Sequence, residues 1–457
     1  MCSSSLIAPL NKKDRILFLD CLRGFAILGI LIMNIMGAGQ NDAFYRNMDL
    51  SQPTTGPNLW AWVIGNGLFD GAMRGIFSML FGAGTILLLD RLEKNATAIT
   101  PADINATTIT PADIYYRRVL WLFLFGLFNA FFLLWWGDIL YFYGLCGLVL
   151  FPFRKMTPKQ LLVPIFIILA FGIYRESNVV IRNKEIISKG RQAQVRQDKH
   201  QQLTEQQTKD LTAFEGFQKE NSSEAMMTKA KEDTKTFQTA NLDGRRAIIW
   251  NAAAFFEGPF FYDNWFDIVV LFLIGMALYR SGFLTGQKST TTYALVGFSC
   301  TIIALLMNYI EFAPMYVNKF DLVKITESSL PIRLHQLRRV LQVIGYTGLL
   351  RLCYSWSPIF CRAFNWLAPV GQMAFTNYLC QSIFMLVAFV IMDYYGKLQR
   401  YQLFGMAVGF YILQIVFSNI WLRFFRFGPF EWAWRSLTYW KRQPMKKQES
   451  TAIVLTS

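Results

Sequence analysis

An apolar run of about 20 residues can satisfy its backbone inside a bilayer only as a helix, so such runs decide fold class first. Arg15–Ala38, RILFLDCLRGFAILGILIMNIMGA, is one of them, and it carries Asp20, Arg23 and Asn34 in an otherwise apolar stretch. At 100° per residue, Asp20, Arg23, Gly24, Ile27 and Asn34 fall within roughly a third of the helix circumference. A charged group at bilayer depth costs roughly 2.5–3.5 kcal/mol on the insertion scale, so this stripe is expected to face protein or a wet cavity. The stretch therefore predicts a first membrane-spanning helix with a polar site beside it.

The whole chain reads the same way. Of its 457 residues 53% are hydrophobic and 16% aromatic, and several more apolar segments are long enough to span. Barrel-type alternation is absent. The expected fold is all-α, a polytopic transmembrane helical bundle in a lipid bilayer. The net charge of +15 does not point to nucleic acid, because Lys and Arg cluster beside apolar runs, where positive charge sets topology. Seven cysteines without a CxxC and only two histidines argue against a disulfide framework or a thiolate or His-rich centre, so no metal is expected. The first run is too long and too charged for a signal peptide.

About ten spans can be drawn, at 15–38, within 60–89, and at 119–136, 139–153, 161–174, 264–283, 291–312, 336–354, 370–392 and 402–424. Setting the N-terminus inside places most short-loop Lys and Arg on the cytoplasmic side, and then both termini are cytoplasmic. Residues 1–174 form an N-terminal membrane half and 246–440 a C-terminal one. Residues 175–245, rich in Gln, Lys, Glu and Thr, read as a polar extramembrane excursion, and 441–457 as a basic tail. NATAITPADI at 95–104 is repeated as NATTITPADI at 105–114, a loop insertion whose sequons at Asn95 and Asn105 would face the cytoplasm. From Gly428 to Trp440, Pro429 starts an interfacial helix, with Glu431 near its positive end and Arg435 as i+4 partner.

Several polar groups are candidates for chemistry. Asp20 and Arg23 are spaced to pair. Arg23 and Asn34 lie roughly 16 Å apart along one face and could line one tunnel; the alternative is an internal ion pair plus interhelical glue. Asp138, in WWGDIL, either caps the next helix or offers a carboxylate at a cavity edge. Arg74 is an anion-binding group or a snorkelling anchor. Gln372/Thr376 and Asn377/Gln381 are two i, i+4 pairs that contact a substrate or donor, or else glue helices. Glu257 and Asp267 read as solvated helix ends, and His335 as an incidental edge residue.

LDCLRGFAILGILIMNI, RGIFSMLFGAG, RRVLWLFLFGLFNAFFLLWWGDILYFYGLCGL, GQMAFTNYLCQS and WLRFFRFGPFEWAWRSLTYW together resemble the YeiB-like family of bacterial inner-membrane proteins, which has no settled activity. More distantly the chain is similar to the membrane acyltransferase superfamily, including acyltransferase family three and the heparan glucosaminide acetyltransferases. That resemblance implies acyl transfer from an acyl-coenzyme A donor to an envelope acceptor, with Arg23 as the arginine of the first helix. It also implies a histidine where Asn34 stands and, from the YeiB-like proteins, another where Asn129 stands. Asparagine takes no proton at neutral pH but can stabilise an oxyanion. Catalytic roles then fall to Asp138, Asn34 and Asn129, and donor binding to Arg23 and Arg74 with Asp20 orienting Arg23. A transporter or flippase using the same polar stripe is the competing expectation.

Overall fold

The computed structural model describes residues 16–41, 43–44, 55–97 and 110–447. The N-terminal 1–15, most of the duplicated stretch at 95–114 and the end of the basic tail lie outside them, as does any reading of where the termini sit. Among the described residues the structure is helical, apart from one isolated bridge between Phe425 and Lys446. Seven helical stretches are long and apolar enough to cross a membrane: Leu17–Gly39, Pro57–Lys94, Pro158–Asp198, Leu242–Arg280, Thr290–Val317, Ala374–Ile391 and Arg400–Phe424. This is a membrane protein built as a helical bundle.

The elements follow in order. α1 is Leu17–Gly39. α2 (Pro57–Ile64) runs through a π turn at Gly65–Phe69 into α3 (Ala72–Thr97). α4 is Pro111–Phe131, α5 Leu140–Leu148 and α6 Pro158–Asp198. α7 (Glu205–Asn221) and α8 (Ser223–Thr239) form a polar pair. α9 (Leu242–Phe255) passes through a π turn at Phe256–Phe260 into α10 (Phe261–Arg280). Then come α11 (Thr290–Val317), α12 (Leu322–Ser328), α13 (His335–Trp356) and α14 (Pro358–Asn365). α15 (Ala368–Gln372), α16 (Ala374–Met385, with a π turn Leu386–Ile391), α17 (Arg400–Phe424) and α18 (Pro429–Tyr439) complete the chain.

The spans fall into two layers. The stretches containing α1, α3, α10 and α16 are at least 67% buried, whereas α6, α11 and α17 are 22% buried or less. The outer three show apolar side chains such as Phe166, Phe298 and Ile412 on their exposed faces. A helix that is apolar yet exposed belongs against lipid, and one buried all round is bundle core. Small residues bring the inner helices together: a Cβ on Gly82 would land on the Phe272 carbonyl, and one on Gly275 on that of Met79. Gly24 and Gly371 do the same for α1 and α15. Close backbone approach is the usual source of packing energy where water supplies no driving force.

Three elements differ in shape from the expected spans. α5 has nine residues, about 13 Å, far short of a full crossing. It starts at the fully buried Asp138, and the 3-10 turn after it ends where Arg154 bonds Glu93. The third span ends at Phe131 rather than Trp136, because the carboxyl of Asp138 draws the 132–138 connection inward. α6 continues for 41 residues, about 60 Å, past position 174 to Asp198. Its polar half is rich in Arg, Glu, Lys and Gln, all good helix formers, so nothing stops the helix where hydropathy falls. The α8–α9 corner is tied down by buried Arg245, which donates to the carbonyls of Phe237, Gln238, Ala240 and Val390.

Candidate functional site

Asp138 lies at the hinge between α4 and α5, with its side chain fully buried. Its Oδ1 accepts from Asn129 Nδ2 at 2.7 Å and from the Tyr378 hydroxyl at 3.3 Å, and its Oδ2 from the Tyr141 backbone at 2.8 Å. The last contact is the helix-start capping expected of an Asp there. Tyr378, from α16, also receives the Ile139 amide at 3.2 Å, so three helices hold this carboxyl. Asn129 keeps its Oδ1 buried without a partner. Trp136, next to the hinge, packs on Gly37 of α1, one helical turn beyond Asn34. Asn34 is half-buried, and its Nδ2 is buried with no hydrogen-bond partner. The connection that carries the hinge thus touches α1 one turn from Asn34.

Arg23 and Asp20 pair at 3.3 Å, with the guanidinium 31% exposed. Their end of α1 lies near α4 and α18, where Arg118 faces the like charges of Arg435 and Arg23 and stacks 4.0 Å from the Trp434 ring centroid. Trp434 Nε1 in turn donates to the Arg118 carbonyl. The aromatic face of the interfacial helix therefore docks onto the protein as well as presenting a surface.

Arg74 belongs to a different assembly. It meets Asp267 at 2.5 Å, and Asp267 also takes Arg339 at 2.5 Å. Arg339 Nη2 lies 2.7 Å from His335 Nε2, while His335 Nδ1 lies 3.0 Å from Glu311, which also takes Arg338 Nε at 3.0 Å. Arg338 Nη2 also lies 2.8 Å from His335 Nδ1, so the imidazole sits between Glu311 and both arginines. Asp267, expected as a solvated end, is 4% exposed, and Arg338 is fully buried. Glu257, the other expected solvated end, is buried as well, and His335 is a bridging member of this network rather than an incidental residue. Hydropathy near a span end reads as solvent; the structure covers those ends with α6 and α11. One signal was available: His335, Arg338 and Arg339 at i, i+3 and i+4 share one helix face.

The polar residues of the ninth span hold helices together. Met373 interrupts the helix between α15 and α16, so Gln372, half-buried, and Thr376 do not form a continuous i, i+4 pair. Asn377 Nδ2 donates to Val370 O and Ser418 Oγ, Gln381 Nε2 to Ile27 O and Gln414 Oε1, and Gln414 Nε2 back to Asn377 O. Thr376 serves another purpose. Glu431 of α18 accepts from the Phe375 and Thr376 amides at 2.7 and 3.0 Å and from Thr376 Oγ1 at 2.5 Å, capping α16, which has no cap of its own. Glu431→Ala should destabilise the protein by about 1–3 kcal/mol, read as a lowered unfolding temperature in detergent. Burial pushes the Glu431 carboxyl up despite those donors. The folded state then holds the proton more tightly than the unfolded one, so stability from this group falls as pH rises from the ordinary carboxylate value through the raised one. Glu431→Gln should flatten that slope in a pH series of unfolding temperatures.

Residues 278–441 match the family model described as "Protein of unknown function (DUF418)". That region holds the His335–Arg339 face, Asn377, Gln381 and Glu431, but not α1 or the Asp138 hinge. Over nearly full length the chain is 28% identical to "Uncharacterized protein YeiB" of Escherichia coli (strain K12), across 440 residues, 93% of this chain and 96% of that protein. It is also 28% identical to "Uncharacterized protein YxaH" of Bacillus subtilis (strain 168), across 454 residues, 97% of this chain and 99% of that protein. A third relative, "Uncharacterized 39.9 kDa protein in amylase 3'region" of Bacillus acidopullulyticus, is 23% identical over 458 residues, 96% of this chain and 97% of that protein. No solved structure matches the chain. Along nearly its full length, then, the chain is similar to the uncharacterised YeiB and YxaH proteins, and its C-terminal part to the DUF418 family.

Proposed function

We propose that this protein is a bacterial inner-membrane acyltransferase that passes an acyl group from a coenzyme A thioester to an envelope acceptor. The observation that supports it most is the hinge: a fully buried carboxyl oriented by Asn129 and Tyr378, close to a helix face that carries an unpartnered amide donor. Acyl transfer needs both parts. Asp138 takes the proton from the acceptor's hydroxyl or amine as that atom attacks the thioester carbonyl; the C–S bond breaks and the thiolate leaves. Asn34 Nδ2 donates to the oxyanion formed on the way. Asn129, committed to Asp138, acts as a positioning residue. Arg23, partly exposed beside Arg118, anchors the donor's phosphates from the cytoplasmic side, and Asp20 orients it. Arg74, engaged by Asp267, supports the bundle.

Binding of coenzyme A and acetyl-coenzyme A to the detergent-purified chain tests the donor half. Saturable binding should weaken about 10- to 100-fold in Arg23→Ala, the loss of one charge-assisted contact, and persist in Asp138→Asn. Equal binding by a folded Arg23→Ala protein sinks the assignment.

A transporter or flippase is the second reading, and one observation favours it. π turns at Gly65–Phe69 and Phe256–Phe260 interrupt two of the spanning stretches, and another at Leu386–Ile391 ends a third. Such interruptions mark functional positions in helices and form the substrate sites of many transporters.

A further inference from the structure

The π turn at Phe256–Phe260 brings Glu257 into the bundle beside the Asp138 hinge. Phe256 packs on Trp136 at 5.7 Å and on Phe142 at 5.1 Å between ring centroids, clasping the hinge from both sides. Glu257 is 4% exposed, and both of its carboxyl oxygens are buried without a hydrogen-bond partner. Its charged neighbour among the described residues is Asp138, a like charge. The titratable groups facing the pair are the hydroxyls of Tyr141 on α5 and Tyr378 on α16. Neither is a cation.

Two buried carboxylates with no cation and unequal hydrogen bonding cannot both stay ionised; the less supported one keeps its proton. Asp138 has three donors and Glu257 has none. Fully buried Asn129 gives its Nδ2 to Asp138, so this amide supports the carboxylate form of Asp138 and does nothing for that of Glu257. We infer that Asp138 and Glu257 form a one-proton site, in which Glu257 carries an exchangeable proton and leaves Asp138 as the carboxylate. The site holds whether Asp138 serves acyl transfer or transport.

Infrared difference spectroscopy of the full chain in nanodiscs at neutral pH tests this. The expected result is a carbonyl stretching band of a protonated, weakly hydrogen-bonded carboxyl that exchanges in heavy water. It should vanish in Glu257→Gln and remain in Asp138→Asn. A folded wild type without the band, or a Glu257→Gln protein that retains it, overturns the proposal. A band that emerges only when sodium is removed also overturns it, since the pair then holds a metal cation. If Glu257→Gln does not fold, carboxyl-13C glutamate in the wild type decides: the band must shift, and an unmoved band rejects Glu257.

Discussion

Asp267→Ala should destabilise the folded protein by about 3–5 kcal/mol, because it strands two guanidinium groups around one removed carboxylate. Arg339 is 10% exposed at its side chain and Arg74 31% exposed, and both meet the same oxygen, Asp267 Oδ2. Losing that oxygen leaves like charges facing each other within the bundle, where water compensates poorly. The effect should be partly relieved in Asp267→Ala/Arg339→Ala, giving a coupling of about 0.5–3 kcal/mol in a double-mutant cycle. Unfolding temperatures and detergent-denaturation midpoints report it. A change below about 1 kcal/mol for the single variant, the range of an exposed pair, would mean that the network is not the strut described here.

Asp138→Asn should slow acyl transfer by about 100- to 10,000-fold, the usual contribution of a positioned proton acceptor. The substitution keeps shape and size, and its one oxygen still accepts from Asn129 and Tyr378 at the Oδ1 position while the Tyr141 contact is given up, so folding should survive. Donor binding, assigned to Arg23, should be unaffected. A selective loss of rate with intact binding is the signature of a group acting only as the bond is made. If both fall together, Asp138 is a structural cap and no more.

The stripe on α1 was readable in advance because its cost is local: a charge in an apolar helix must be compensated, and Asp20 sits three residues from Arg23 to do so. Helical class followed from run length in the same way. The ion network was not readable, since Arg74, Asp267, Glu311 and Arg339 come from four separate helices and meet only through the way those helices pack. Glu257 was hidden for a related reason: before a Gly-Pro pair it reads as a loop end, and only the π turn draws it inward. The burial of Asp138 at the start of α5 depended in part on Tyr378, a partner 240 residues away. Asn377 and Gln381 were recognisable as residues surrounded by protein, but their choice of partners, Ser418 and Gln414, is set by where α17 packs.

The central claim is that Asp138 and the face of α1 transfer an acyl group. The most direct measurement is release of free thiol from acetyl-coenzyme A by proteoliposomes of the purified chain, supplied with an envelope glycan extract as acceptor. The account predicts thiol release above empty liposomes, matched by label in the acceptor fraction, and background release from Asp138→Asn that still binds the donor. Label crossing the bilayer without thiol release, or release unchanged in Asp138→Asn, would contradict it.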